Sequence, residues 1–169
     1  MNLAPADAKI VFDSVLAQLK AEHQTTLKVL RAVPADHASY RPDDRSMTAL
    51  DLAWHIASAD LFFMFLASRT PMQGDGKRPA EVADGPAVAA FYEANFPKTV
   101  GLVEGLTGEQ LVQEIDFHGF KMTALGYLQL SLVHGVHHRG QLSAYLRPMG
   151  AKVPSIYGGS ADEPMKASA

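Results

Sequence analysis

His134 and His138 stand four residues apart in Leu132-Val-His134-Gly-Val-His137-His138-Arg139-Gly140-Gln141-Leu142, a stretch that holds three of the chain's seven histidines. A helix makes 3.6 residues per turn, so two residues at this spacing are stacked on one face. Two imidazoles placed this way can share one metal ion, and the zinc proteases that carry HExxH use the same geometry with the Glu as general base. Gly135 occupies the position of that Glu here. The spacing therefore supports a metal and argues against that protease chemistry. Two histidines on a polar helix face remain the other reading of the pair.

The element that must carry the pair starts near Thr123 and is stopped by Pro148 and Gly150. Leu125, Leu128, Leu132, Val133, Val136, Leu142 and Leu146 make it apolar around much of its circumference, as a helix buried in a bundle should be. One stripe differs: Tyr127, Ser131, His134, His138, Gln141 and Tyr145. Polar groups within a buried helix are costly unless paired or coordinated, and this stripe is the strongest physical argument for a site. Arg139 lies about 100° round the helix from His138, a position suited to bracing the bundle or an interface more than to touching a substrate.

A second histidine-bearing helix opens sharply at Thr48-Ala-Leu-Asp51, which has capping-box spacing with Asp51 in place of the usual Glu. Met47 and Leu52 flank it as a hydrophobic staple. Leu52, His55, Ala59, Phe62 and Leu66 then share one face, so His55 points with the apolar residues. It is either a neutral core histidine or the third ligand that the pair lacks.

The remaining segments supply the frame. Pro5 opens a first helix whose stripe is Phe12, Val15, Leu16, Leu19, His23, Leu27 and Leu30, and Pro34 ends it. His23 reads as a core-edge histidine with a local hydrogen bond. Residues 35–47 form a loop containing the extended anchor Tyr40-Arg41-Pro42 and a solvated His37. Ser68 to Gly85, punctuated by Pro71, Gly74, Gly76 and Pro79, is a long surface loop, expected to be a crossover or a flap beside a site. Pro86 begins a third helix, which Pro97 should kink or split. Thr107-Gly-Glu-Gln110 caps a short helical turn ending near Val112, and Gln113 to Lys121 is irregular or briefly extended, with His118 on a loop. Four long helical patterns without convincing strands predict an all-α four-helix bundle with long connecting loops, one domain over residues 1–160. Residues 161–169 are expected to be a disordered tail.

Composition narrows the function classes. The chain has 169 residues, 47% of them hydrophobic and 20% charged, with a net charge of −3. Such a balance gives no field for nucleic acid or an anionic membrane. No apolar run is expected to reach the roughly 18 residues that span a bilayer, and the N-terminus lacks a signal-peptide pattern, so a cytoplasmic protein is expected. Cysteine is absent. Any metal must be held by histidines and carboxylates, and no thiol nucleophile can come from the chain.

Tyr40-Arg41-Pro42, Thr48-x-x-Asp51 with His55 one turn later, His134-x-x-x-His138-Arg139-Gly140-Gln141-Leu142, and the terminal Gly150, Val153-Pro154 and Tyr157 occur in an order and spacing that resembles the DinB family, bundle metalloproteins that include metal-dependent hydrolases and thiol S-transferases. The resemblance covers nearly the whole chain. It implies a DinB-like bundle, commonly a homodimer, with one divalent metal ion held by His55, His134 and His138. His137 is an additional histidine that could replace His138 as an i, i+3 partner of His134. Three neutral imidazoles leave the charge of the ion uncompensated and a coordination position open, as in catalytic sites. Zinc or nickel suits such ligands first, with iron or manganese after them. The expected activity is transfer of a low-molecular-weight thiol cosubstrate to an electrophilic small molecule, or hydrolysis of an ester or amide by activated water. The competing class is a non-catalytic metal- or small-ligand-binding stress-response bundle. A general acid or base beside the metal would separate the two. His137, His23, Tyr127 and Tyr145 are candidates, with Gln141 also facing the pocket expected between the second and last long helices. None can be assigned a catalytic role from spacing alone.

Overall fold

A computed structural model describes residues 3–72 and 75–165. The elements are α1 (Pro5–Arg31), a 3-10 turn (Ala35–His37), α2 (Ala49–Ser68), α3 (Gly85–Glu104), α4 (Gly108–Val112), β1 (Glu114–Phe117), β2 (Phe120–Thr123) and α5 (Ala124–Leu146). The helix starts follow their capping chemistry. Thr48, Asp84, Thr107 and Thr123 each accept a backbone N–H of the first turn, and Thr107 with Gln110 completes a full capping box. α1 begins with a proline in its first turn, where a missing N–H costs nothing, and ends with Lys28 and Arg31 against its negative pole.

The four long helices pack in a ring. α1 and α2 each lie against both α3 and α5, so α1 faces α2, and α3 faces α5, across the diagonals. The connections that cross a diagonal are therefore residues 32–48 and 105–123. Ser68 to Gly85, expected to be a crossover or a flap beside a site, joins two neighbours and so does not cross the ring.

The core runs the length of the ring. Phe12, Leu19, Leu27 and Leu30 of α1 meet Leu52, Ile56 and Met64 of α2, Val88 and Val103 of α3, and Leu128, Leu142 and Leu146 of α5. By length and composition α2 is apolar enough to cross a membrane, with a mean hydropathy of 1.4, contrary to the expectation that no run would be. Its neighbours explain that composition: α2 is covered by helices on two sides, and Leu52, Ala53, Ile56, Ala57, Leu61 and Met64 are all buried.

Three segments add detail to the sequence reading. Residues 114–123 form an antiparallel hairpin, with Phe117 opposite Phe120 across a His118-Gly119 turn. Both turn residues have positive φ, 52° and 88°, as a two-residue hairpin turn of this hand requires. Pro97 does not split α3, which continues to Glu104. Pro97 removes the partner of the Glu93 carbonyl, and both residues are exposed, so water can take the free carbonyl. Residues 161–165, where a disordered tail was expected, carry hydrogen bonds. Asp162 accepts from the Val153 N–H at 3.0 Å and from Arg147 at 3.1 Å, and Glu163 accepts from the Ser155 N–H at 2.8 Å. Residues 166–169 lie outside the described residues.

Gly85 shows how closely α3 meets the end of α1. A Cβ there would come within 2.5 Å of the Leu30 carbonyl oxygen and 2.6 Å of the Val33 Cβ. Backbone cannot yield as a flexible side chain does. Gly85→Ala is therefore expected to destabilise the protein by about 1–3 kcal/mol, measured by urea unfolding. A stabilised variant, the usual result of Gly→Ala in an open helix, would contradict this close approach.

Candidate metal centre

α2 and α5 bring the three histidines together. Each offers one ring nitrogen, and these nitrogens all lie within 4.8 Å of one another. The ring centroids are 4.8 Å apart for His55 and His134, 4.6 Å for His55 and His138, and 4.4 Å for His134 and His138. All three residues are half-buried. The helical spacing on α5 stacks two rings, and the packing of α2 on α5 delivers the third.

The donor set fits a divalent ion. The Nε2 atoms of His55 and His134 are 3.1 Å apart. Two imidazole nitrogens sharing a tetrahedral zinc ion at 2.0–2.1 Å would be about 3.3 Å apart. Burial lowers the pKa of His55, with His138 adding to the effect. Burial likewise brings His134 down to about 4, helped by the neighbouring imidazoles of His138, His55 and His137. Both rings are therefore neutral at neutral pH, the form a metal requires. His138 Nδ1 lies 3.1 Å from Gln141 Oε1, and Gln141 Nε2 donates to the Tyr145 hydroxyl at 3.3 Å. With Nδ1 donating to the amide oxygen, His138 Nε2 is left as the acceptor nitrogen, as ligating histidines are usually arranged. His134 departs from that pattern, because its Nδ1 is buried without a hydrogen-bond partner among the described residues.

The other sequence candidates are spread around this cluster. Gln141 and Tyr145 join it through His138, and Tyr40 packs edge-on to Tyr145 with centroids 5.7 Å apart. His137 is exposed, its ring 4.7 Å from that of His138. Tyr127 is buried and donates its hydroxyl to the Phe120 carbonyl, tying the hairpin to α5. His118 lies in the hairpin turn and His37 beside Asp36 at 3.1 Å. A cavity of about 660 Å³ lies between α2, α3 and the 69–84 loop, and none of the three clustered histidines lines it.

His23 belongs to a different environment. It stacks on Phe96 at 4.0 Å and stands edge-on to Tyr92 at 4.6 Å, and its Nε2 finds no hydrogen-bond partner among the described residues. Burial lowers its pKa to about 4, against the opposing charge of Glu93. A histidine whose folded pKa is depressed contributes stability that is present above pH 6.5 and lost as the pH falls through about 4. The stability lead of the wild type over His23→Gln should therefore shrink by roughly 1–3 kcal/mol between pH 7 and pH 4 in urea titrations. A pH-independent lead would contradict a neutral, buried His23. Comparing two proteins matters here, because Asp60 has the opposite sign between pH 3.8 and about 6.

Asp60 is the residue that sequence reasoning missed. It is buried among α2, α3 and α5, where it accepts from the Tyr92 hydroxyl at 2.6 Å and from Ser131 Oγ at 3.1 Å. Burial raises its pKa to about 6, while those two hydrogen bonds pull the other way. A Cβ on Gly135 would sit 3.3 Å from Asp60 Oδ1. This contact gives a physical reason for the glycine where HExxH proteases have Glu: a carboxylate on that face would be buried against a second one. An aspartate inside the apolar run of α2 and a glycine in mid-helix were the available signals.

The comparisons agree with the fold. The model of the DinB family matches residues 7–166. YjoA of Bacillus subtilis (strain 168) is 32% identical over 142 residues, covering 82% of this chain and 90% of that protein. YrdA of the same organism is 27% identical over 156 residues, covering 89% and 90%. The crystal structure of the DinB-like protein YjoA superposes with a TM-score of 0.68 over 83% of this chain and 95% of that one. A DinB-like protein from Bacillus cereus ATCC 10987, 24% identical, shares the fold with a TM-score of 0.75 over 86% and 97%. With a family model spanning nearly the whole sequence and a relative above 30% identity, the chain belongs to the DinB family.

Proposed function

We propose that His55, His134 and His138 hold one divalent metal ion, zinc or nickel before iron or manganese, and that the protein is a metal-dependent thiol S-transferase or a related hydrolase. The observation that carries this reading is the convergence of three imidazoles from two helices. A divalent ion held there would supply a Lewis acid that lowers the pKa of a coordinated thiol or water. Three protein ligands leave a coordination position for a small molecule, as in catalytic sites. The chain contributes the rest: Gln141 orients His138, Phe63 lies edge-on to His134 at 5.5 Å, and Tyr145 stands one hydrogen bond beyond Gln141. Because the chain has no cysteine, a transferred thiol must be a cosubstrate.

The reading extends to a homodimer acting on small molecules in the cytoplasm, where low-molecular-weight thiols stay reduced. Val133 and Val136, 60% and 37% exposed on α5, support a protein partner on that face.

The test is to load the protein with zinc, nickel, manganese or iron and to assay thiol conjugation to electrophiles alongside ester hydrolysis. Turnover that depends on the metal supports the reading, and turnover that survives complete metal removal rejects it. The non-catalytic alternative needs no acid or base beside the ion, and His137, whose ring lies 4.7 Å from that of His138, is the candidate for one. Metal binding without turnover on either substrate class would select that alternative.

A further inference from the structure

α2 has a second face that the histidine cluster does not use. Trp54, Ser58, Leu61 and Phe65 follow at i, i+4, i+7 and i+11, a stripe turned about 90° from His55. This stripe, Phe91 of α3 and the segment after α2 wall the cavity of about 660 Å³. That volume is in the range of sites for small molecules, roughly 300–1,000 Å³.

Its chemistry is selective. Trp54 and Phe91 form one wall, with ring centroids 4.9 Å apart and planes inclined at 53°. The indole N–H of Trp54 donates to the Gly76 carbonyl at 3.3 Å, so the polar edge of that ring is already used. Two of the polar wall residues are also committed: Asn95 donates to the Phe91 carbonyl at 2.8 Å, and Thr99 to the Phe96 carbonyl at 2.9 Å. Asp75 and Lys77 neutralise each other at 3.1 Å. Lys98 is different. Its ammonium meets the Asn95 amide oxygen at 3.2 Å, and no carboxylate pairs with it among the described residues. Among the described lining residues, Lys98 is thus the cation without a carboxylate partner, on a cavity with an aromatic wall.

We propose that this cavity binds a small molecule with an aromatic body and a single anionic group, the body against Trp54 and Phe91 and the anion at Lys98. The inference is independent of the metal reading, since the cavity shares no residue with the histidine cluster. A ring system laid against that aromatic wall gains offset or edge contacts beyond its buried area. A cation in place of the anion would meet the charge of Lys98.

Trp54 is the chain's single tryptophan, so its fluorescence reports on this wall. The probes are 1-anilinonaphthalene-8-sulfonate and N-phenyl-1-naphthylamine, nearly the same body with and without the charge. Excitation of Trp54 should sensitise saturable emission from the sulfonate at one molecule per chain, with an affinity about tenfold above that of the uncharged probe. Lys98→Met should remove that difference. Ser58→Phe, which fills the cavity, should abolish binding of both probes. Asn95→Phe is a second filling variant should the first not melt cooperatively, and zinc added to the wild type should leave binding unchanged. Equal affinity for the two probes, no saturable binding, retained binding in cooperatively folded filled variants, or competition by zinc would each overturn the proposal.

Discussion

His55→Ala, His134→Ala and His138→Ala are each expected to weaken binding of a divalent metal by more than about 100-fold, beyond the 10–100-fold loss typical when an outer partner of a ligand is removed. Competition titrations with a chelator would measure the affinity, and elemental analysis the stoichiometry, expected to be one ion per chain. His137→Ala and His37→Ala should keep the metal, because His137 is exposed and His37 lies beside Asp36. Loss in His137→Ala with retention in His138→Ala would instead make the pair i, i+3. Gln141→Ala should fall between the two groups, since Gln141 touches only the far nitrogen of His138. The ion would join α2 to α5, and anything that binds the native state preferentially raises its stability. At a free metal concentration about 100 times Kd the gain is about 2.7 kcal/mol. Chelation should therefore lower Tm by about 5–10 °C. Full metal retention in any of the three ligand variants would refute the assignment.

Arg139→Met is expected to destabilise the fold by about 2–4 kcal/mol without reducing metal affinity. Arg139 is 1% exposed, the largest of the fully buried side chains. Its guanidinium donates to Thr26 Oγ1 at 3.0 Å and to the Glu22 carbonyl at 3.3 Å, and it pairs with the Glu22 carboxylate and the Tyr157 hydroxyl. It therefore fastens α1 and the C-terminal segment to α5, the bracing role expected from its place on the helix. Removing one member of a buried ion pair costs more than the pair contributes, because the other charge is left without compensation. The Glu22 side chain is 24% exposed, which places the effect below the full buried-pair range of about 3–5 kcal/mol. Urea unfolding would measure the loss. A second change, Glu22→Leu, should recover part of it, because no unpaired carboxylate then remains. Additive losses in the double variant would contradict that explanation, and lost metal binding in Arg139→Met would mean that the residue serves the centre directly.

What the sequence determined by itself was local. Thr48, Thr107 and Thr123 announce helix starts because an N-cap needs only its own next turn. The stacking of His134 on His138 follows from 3.6 residues per turn. The periodicity of His55 with Leu52 and Phe62 showed that it faces other helices, and the absence of cysteine limited the ligands to histidines and carboxylates. Periodicity names the buried face of a helix, however, and not the neighbour that covers it. Only the packed ring decided that α5, rather than α3, lies against His55, and that Trp54 and Ser58 face α3 across a cavity. The same holds for Asp60, whose partners Tyr92 and Ser131 come from two other helices. The hairpin was legible only as a brief extended stretch because four-residue strands hold too few alternations to stand out, and whether Pro97 splits its helix depends on whether the freed carbonyl reaches water. Chain-local rules fix what a residue can do. Which groups meet was left to the order in which the helices pack.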